Sequence, residues 1–401
     1  VVGLVLLLLA APETVETPHY RLVSEGPRAE AEEFGRLLEA AYPAFAAYFK
    51  AAPKLKKGER LAVRFFETRE AWAAALREAG ATVPDGAGGM YWEPDRTAYV
   101  YRQPTRLFTR AVLLHEATHQ FHFLARTRNR SPSAYWYREG VAECLGWHHW
   151  DGETLALGVL PTVALEDYPA QALRELRDPA LDLEAVVEGR AEGSRPVAWA
   201  IYRHLATGNK GKPLGGFERL AGRLDGGAKA TGFWKSFGQP AAYKKALVTW
   251  LEAEQQPFVP VFNEWEGLGA DRVRGFAKVV SLCRLQRAAA RFAATIEAPA
   301  AGAWQAGGIL HFAGPEDYAI FLVNASGGLR VQRRTEGRWE MLEGGAGPGA
   351  AATHEFEVTA RGKSVTLSLG GREYGPWEVT APAFGLALDG SEVVFSGLRW
   401  E

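Results

Sequence analysis

Apolar and polar positions follow two different styles along the chain, and the change falls near Gln256-Pro257. Before it, short strand-like runs are mixed with long stretches of helical spacing. Tyr20-Arg-Leu-Val-Ser24 and Leu61-Ala-Val-Arg-Phe-Phe66 predict strands, and Gly88–Trp92 and Thr97–Tyr101 predict two more around the turn Glu93–Arg96. Phe34, Leu37, Leu38, Ala41 and Phe45 recur along one helical face, which predicts a helix over Ala29–Phe49. Thr68 is placed to cap a helix running to about Glu78. Helical spacing then dominates from Tyr101 to Leu251. Beyond Pro257 the runs are short, alternating and divided by Gly-rich turns. Examples are Gly308–Phe312, Tyr318–Val323, Leu329–Arg333, His354–Val358, Ser364–Ser368 and Val393–Phe395. Regularly spaced strands of this kind predict a β-sandwich. We therefore expect an α+β domain over residues 19–257 and an all-β domain over residues 258–401. Gly344–Ala352 reads as a flexible loop inside the second.

Composition narrows the function. The chain has 401 residues, enough for two or three domains at about 150 residues each. Its 46 Lys and Arg balance 47 Asp and Glu, so no basic excess exists to hold a phosphate backbone, and a nucleic-acid partner is not expected. The apolar opening Val1–Ala11, closed by Pro12, has the length of a signal-peptide core, and Ala10-Ala11 suits a cleavage zone. It is too short to span a bilayer, which needs about 20 residues, and no later segment reaches that length. Residues 1–12 therefore read as a signal-peptide-like segment, and the protein as secreted, periplasmic or cell-surface. The two cysteines, Cys144 and Cys283, exclude a disulfide scaffold and a four-Cys zinc site, and read as two separate buried thiols.

The chemistry gathers in Val112-Leu-Leu-His115-Glu116-Ala-Thr-His119. Two His four residues apart share one helix face, so both imidazoles can reach one metal ion. Glu116 beside them can take the proton of a water on that ion. This is the H-E-x-x-H zinc pattern. A catalytic zinc ion needs a third protein ligand and an open fourth position. Trp136-Tyr-Arg-Glu139-Gly-Val-Ala-Glu143 follows on the next helical stretch. Glu139 and Glu143 share a face, so one can bind the metal while the other steadies a ligand.

H-E-x-x-H followed by W-x-x-E-G-x-A-E resembles the gluzincin zinc metallopeptidases, most closely the bacterial peptidase-MA-like domains, over roughly residues 60 to 250. The resemblance implies a zincin-like fold, a Zn2+ cofactor and a peptide or protein substrate. It makes His115, His119 and Glu139 the metal ligands, Glu116 the general base and Glu143 the carboxylate behind a ligand. It also places Gly89, Met90 and Tyr91 on the edge strand that pairs with an extended substrate, where backbone hydrogen bonds would hold it. One departure is plain: Arg195 stands where such enzymes place an oxyanion-stabilising tyrosine. Its guanidinium can donate to an oxyanion or pair with an acid. Tyr202 and His204 are substitutes by residue type, two helical turns on. The alternative implied by this departure is a secreted binding or surface-recognition protein with a vestigial zinc site.

The remaining histidines and tryptophans weigh less. His122 reads as a packed core residue, too far along the helix to share the ion of His115. His148-His149 read as polarising the end of the Glu139 helix. The C-terminal half resembles, more loosely, the concanavalin-like jelly-roll domains, on Gly307–Phe312, Asp317–Phe321, Leu329–Arg333, Gly337–Trp339 and Val393–Trp400. That likeness implies a glycan or protein ligand. Trp339 and Trp377 can stack on sugars, but they read as fillers of the sandwich core.

Overall fold

The computed structural model describes residues 11–401 apart from positions 165, 231, 255, 263, 278, 300, 301 and 391. The signal-like reading of residues 1–12 falls almost wholly outside the described residues. The chain forms two compact units: one runs to Val159 and resumes over Tyr168–Glu254, and the other joins Leu160–Asp167 to residues 255–401. The break thus falls just before Pro257–Pro260. The excursion of Leu160–Asp167 into the second unit is new. Val163 bridges to Phe258, and the Gln256 side-chain amide donates to the Ala164 carbonyl at 2.8 Å. A linear pattern has no means of showing such a detour.

The first unit begins β1 (Glu13–Glu16), β2 (Tyr20–Ser24), α1 (Arg28–Phe49), β3 (Leu61–Phe66), α2 (Arg69–Glu78), β4 (Gly89–Trp92), β5 (Thr97–Tyr101). It continues with α3 (Arg106–Arg126), α4 (Tyr135–Gly146), the hairpin β6 (His148–Trp150) and β7 (Leu155–Leu157), then α5 (Tyr168–Arg177) and α6 (Leu183–Glu188). It ends with α7 (Arg195–Thr207), α8 (Phe217–Asp225), α9 (Phe233–Phe237) and α10 (Pro240–Ala253). The strand order is β1-β2-β3-β5-β4. β2, β3 and β5 run parallel, and β4 is an antiparallel edge. β1 was not foreseen, since Glu13–Thr17 reads as polar; its burial alternates weakly along the opposite edge.

α3 carries the first motif and is buried continuously from Thr109 to Phe123. Thr105 starts it, its hydroxyl accepting from the Phe108 amide at 3.1 Å. A helix buried all round that holds polar residues must satisfy them internally. Thr118 donates to the Leu114 carbonyl at 2.7 Å, and Gln120 donates to the Ala62 and Arg96 carbonyls at 2.8 Å each. Gln120 thereby ties α3 to the sheet. α4 is held through glycines. A Cβ on Gly140 would lie 2.5 Å from the Ala198 carbonyl of α7, and one on Gly146 would lie 3.0 Å from the Ala111 carbonyl of α3. Gly140 of the E-G-x-A-E stretch is therefore a close-approach residue.

The second unit is a sandwich of β8 (Phe258–Pro260), β9 (Glu264–Gly269), β10 (Arg272–Phe276), β11 (Ser281–Leu285), β12 (Arg291–Glu297), β13 (Gln305–Gly314) and β14 (Asp317–Asn324), with seven more strands. These are β15 (Gly328–Thr335), β16 (Arg338–Ala346), β17 (Thr353–Arg361), β18 (Ser364–Leu369), β19 (Arg372–Glu378), β20 (Pro382–Asp389) and β21 (Glu392–Trp400). Two seven-stranded sheets result, ordered β19-β18-β17-β12-β21-β10-β9 and β16-β15-β14-β13-β20-β11-β8. Phe292, Phe321, Val331, Phe356, Leu386 and Phe395 belong to one apolar core drawn from both. The expected loop at Gly344–Ala352 is partly wrong: Gly344–Ala346 end β16 and pair with β15. The tryptophans divide. Trp377 is buried in the core, as expected, but Trp339 on β16 is 44 % exposed. β16 is an edge strand with exposed residues on both faces, so the ring, although it meets Tyr318 and Arg334, is only partly covered.

Candidate metal centre

α3 and α4 bring the two sequence motifs to one point. The Nε2 atoms of His115 and His119 approach to 3.1 Å. Glu139 Oε2 lies 3.4 Å from the first and 3.6 Å from the second. A tetrahedral ion with bonds of roughly 2.0–2.2 Å separates its ligand atoms by about 3.3–3.6 Å. The two distances to Glu139 fall in that range and the His–His distance is about 0.2 Å short of it, and two imidazoles with one carboxylate are a donor set that zinc accepts. Arg138 Nε donates to the other carboxylate oxygen of Glu139 at 2.7 Å, leaving Oε2 to face the histidines.

Glu143 stands behind His115. Its Oε1 is 3.3 Å from His115 Nδ1 and 3.4 Å from Arg195 Nη1, and its Oε2 accepts from the Tyr168 hydroxyl at 3.0 Å. A carboxylate on the far nitrogen fixes which nitrogen of the ring faces the metal. His119 differs: its Nδ1 is buried with no hydrogen-bond partner among the described residues. Burial presses the His115 pKa down to about 3, so the metal-free ring is neutral.

Glu116 reaches β4 from the same cleft as the ligand set. Its Oε2 accepts from the Tyr91 amide at 2.6 Å. Burial pushes its pKa up to about 7, against the opposing pull of His119 and Arg195. A Cβ on Gly89 would fall 2.7 Å from Glu116 Cγ, so the glycine is what lets the strand pass the carboxylate. Gly89, Met90 and Tyr91 form one wall of a cleft of about 500 Å³ that also meets His115, Glu116, His119 and Glu139. Across it stand Tyr135, Arg138 and Arg195. The strand is an edge, but the outward amide of Tyr91 is already engaged by Glu116. Met90 also packs on the cluster around Trp72 and Leu76.

Arg195 opens α7, which Ser194 caps by accepting from the Val197 amide at 3.2 Å. Its acid partner, Glu143, is buried, while the Arg195 side chain is 37 % exposed, so the guanidinium side of the pair is open to the cleft. Tyr202 and His204 do not reach the cleft. The Tyr202 hydroxyl bonds that of Tyr48 at 2.9 Å, and His204 lies against Tyr243 and Trp250. His122 is a core residue, with Nε2 2.8 Å from Asp225 and its ring stacked 4.8 Å from Phe49. His148 is fully buried in β6 and hydrogen-bonds the Gly146 carbonyl at 2.8 Å. Burial lowers its pKa to about 3, so it finishes α4 by a hydrogen bond and not by positive charge. Cys144 and Cys283 are free and buried, as read from the sequence. Sequence reasoning missed Arg138 and Tyr168. Arg138 sits beside Glu139 and was open to notice; nothing near Tyr168 in sequence links it to Glu143.

No protein-family model and no curated protein matches the chain. Among solved structures, the carbohydrate-binding module CBM66 from Bacillus subtilis is similar at 13% identity, covering 35% of this chain and 93% of that one, with a TM-score of 0.30. The galectin LEC-6 from Caenorhabditis elegans aligns at 14% identity over 31% of this chain and 95% of that one, with a TM-score of 0.24. The GH43 protein BlXynB from Bacillus licheniformis aligns at 12% identity over 35% of this chain and 38% of that one, at 0.26. At such scores these likenesses bear on neither activity nor ligand. Among the described residues no helix is long and apolar enough to cross a membrane.

Proposed function

We propose that the first unit is a zinc-dependent peptidase of the gluzincin kind. The observation that carries this is the convergence of His115 Nε2, His119 Nε2 and Glu139 Oε2, with the Glu116 carboxyl on the same cleft. When bound, zinc supplies a Lewis acid that makes water nucleophilic near neutral pH. Glu116 takes a proton from the attacking water and returns it to the leaving amine, a role its carboxylate can fill from within the cleft. Arg195 keeps N–H donors beyond its contact with Glu143 and offers them to the developing oxyanion. β4 positions the substrate, which displaces or shares the Tyr91–Glu116 contact. The test is a broad peptide library with zinc-loaded wild type and Glu116→Gln. Cleavage by the first, abolished by the second and by chelation, is expected.

The second reading is a binding protein whose metal site no longer turns over. The pairing of Arg195 with Glu143 favours it, because a guanidinium held by a buried carboxylate is less free to follow an oxyanion. Exposed Trp339, with the Arg334 guanidinium 5.8 Å from its ring centre, gives the sandwich a surface on which a glycan ring can stack. A library left untouched by the zinc-loaded wild type decides for this reading.

A further inference from the structure

The first unit holds a second cavity, and the proposed chemistry does not use it. On α4, Tyr137 and Cys144 share a face that lies well round the helix from that of Glu139 and Glu143, at 100° per residue. There they line a cavity of about 510 Å³, shared with Tyr48, Phe49, Tyr202 and Phe217. That is within the usual range of roughly 300–1,000 Å³ for small-molecule pockets.

Its polar groups restrict what can enter. The Tyr48 and Tyr202 hydroxyls bond each other at 2.9 Å. Two phenols carry two hydroxyl protons, and one bond uses one of them. Burial raises the pKa of both groups, so both protons stay in place. Tyr202 is 3 % exposed, and Tyr48, although 41 % exposed, directs its hydroxyl to that of Tyr202. Whichever phenol donates, the pair keeps one O–H with no acceptor among the described residues. The cations of the lining are each matched: Lys50 with Glu218 at 3.0 Å, Arg126 with Asp225 at 3.0 Å, and Arg203 with Glu254 at 3.2 Å. The walls therefore offer aromatic surface and one hydroxyl donor, and no unmatched charge. Burial lifts the Cys144 thiol to about 12, which leaves it too little thiolate to attack a ligand.

We propose that this cavity binds an uncharged, ring-bearing small molecule of the aryl ketone or aryl ester class, whose oxygen accepts from the Tyr48–Tyr202 pair. The site is independent of the peptidase reading, since it shares no ligand residue with the metal centre.

Benzophenone is a suitable probe, because it has the required oxygen and labels its surroundings on irradiation. Calorimetric titration of the full chain should show benzophenone binding about three- to tenfold tighter than diphenylmethane, which has the same rings and no acceptor. Benzophenone-4-carboxylate should bind more weakly than benzophenone. Photolabelled peptides should come from α1, α4, α7 and α8. The double variant Tyr48→Phe/Tyr202→Phe should erase the preference over diphenylmethane, and Ala206→Trp or Ala221→Phe should block binding by filling the space. Absence of binding up to the solubility limit overturns the proposal. So does equal affinity for the two probes, tighter binding of the carboxylate, or labelling confined to other elements.

Discussion

Both units have apolar cores, but only the first gathers buried ionisable residues into one cluster around a candidate metal site. Between its sheets the sandwich buries Phe292, Phe321, Phe356, Leu386 and Phe395, side chains with no polar atom to satisfy. The first unit buries His115, Glu116, His119, Glu139 and Glu143 within two adjoining helices. An apolar core gains free energy from every contact. A buried ionisable cluster costs free energy unless each group has a partner or a ligand. In the metal-free chain the His119 Nδ1 has none, the His115 pKa falls to about 3, and that of Glu116 rises to about 7. Stability alone does not call for such an arrangement, and a cation would be held by the converging His115 Nε2, His119 Nε2 and Glu139 Oε2. The contrast teaches that the cost of burying charge is a better pointer to chemistry than the fold around it.

The contrast breaks most directly at a ligand. His119→Ala leaves two protein donors, too few for a tetrahedral site. Zinc content measured by elemental analysis should fall from one per chain to none, and hydrolysis should go with it. If the variant retains stoichiometric zinc, the ion is held elsewhere. The next largest effect belongs to Glu116→Gln, which keeps an acceptor for the Tyr91 amide but removes the basic oxygen. Peptide hydrolysis should drop by about 10²–10⁴-fold with zinc content unchanged. A variant as fast as wild type would remove Glu116 from the mechanism.

The second unit supplies the control. Phe321→Ala in the sandwich core should cost about 3–5 kcal/mol of stability by denaturant melting. Zinc binding should not change, because no metal ligand belongs to that unit. A loss of zinc on this substitution would show that the two regions are not separable as described. Glu143→Gln is a smaller change on the first unit. It keeps the shape and weakens the hold on His115, so zinc affinity should fall by roughly 10–100-fold. Unaltered affinity would make Glu143 a partner of Arg195 and Tyr168 only.

The same contrast governs how much could be read from the sequence. Strands such as Leu61–Phe66 and Ser364–Leu369 were legible because alternation and β-branched or aromatic residues mark a half-buried sheet. β8 through β11 were not picked out, being short or interrupted by charged and glycine residues that pair across the sheet. Glu266 and Arg274, for example, form an ion pair at 2.7 Å between β9 and β10. His115 and His119 were legible because helical period fixes their directions, whereas the choice of Glu139 over Glu143 came from the family resemblance; the structure brings all three together. Tyr168 was not, since its tie to Glu143 exists only after α5 folds back onto α4. Trp339 was misread because composition cannot say whether a strand ends inside a sheet or at its edge.

The smallest effect is a pH dependence in the chelated, metal-free protein. Glu116 titrates near 7 when folded and near 4.5 when unfolded. The folded state therefore binds more protons between those values. Its contribution to stability is fully present below about 4.5 and is lost as pH rises through about 7. His115 acts with the opposite sign: its folded pKa is about 3 against 6.5 unfolded, so stability is lost as pH falls below 6.5. The two oppose each other over most of the acid range, which keeps the net slope of the wild type shallow. Comparing the wild type with Glu116→Gln isolates the first group, because Gln does not titrate and His115 is common to both. The wild-type melting temperature minus that of the variant should decline from pH 5 to about pH 7 and level off above it. A difference that stays flat over this interval would mean that Glu116 is not held protonated by its burial, and the contrast drawn between the two interiors would lose its main support.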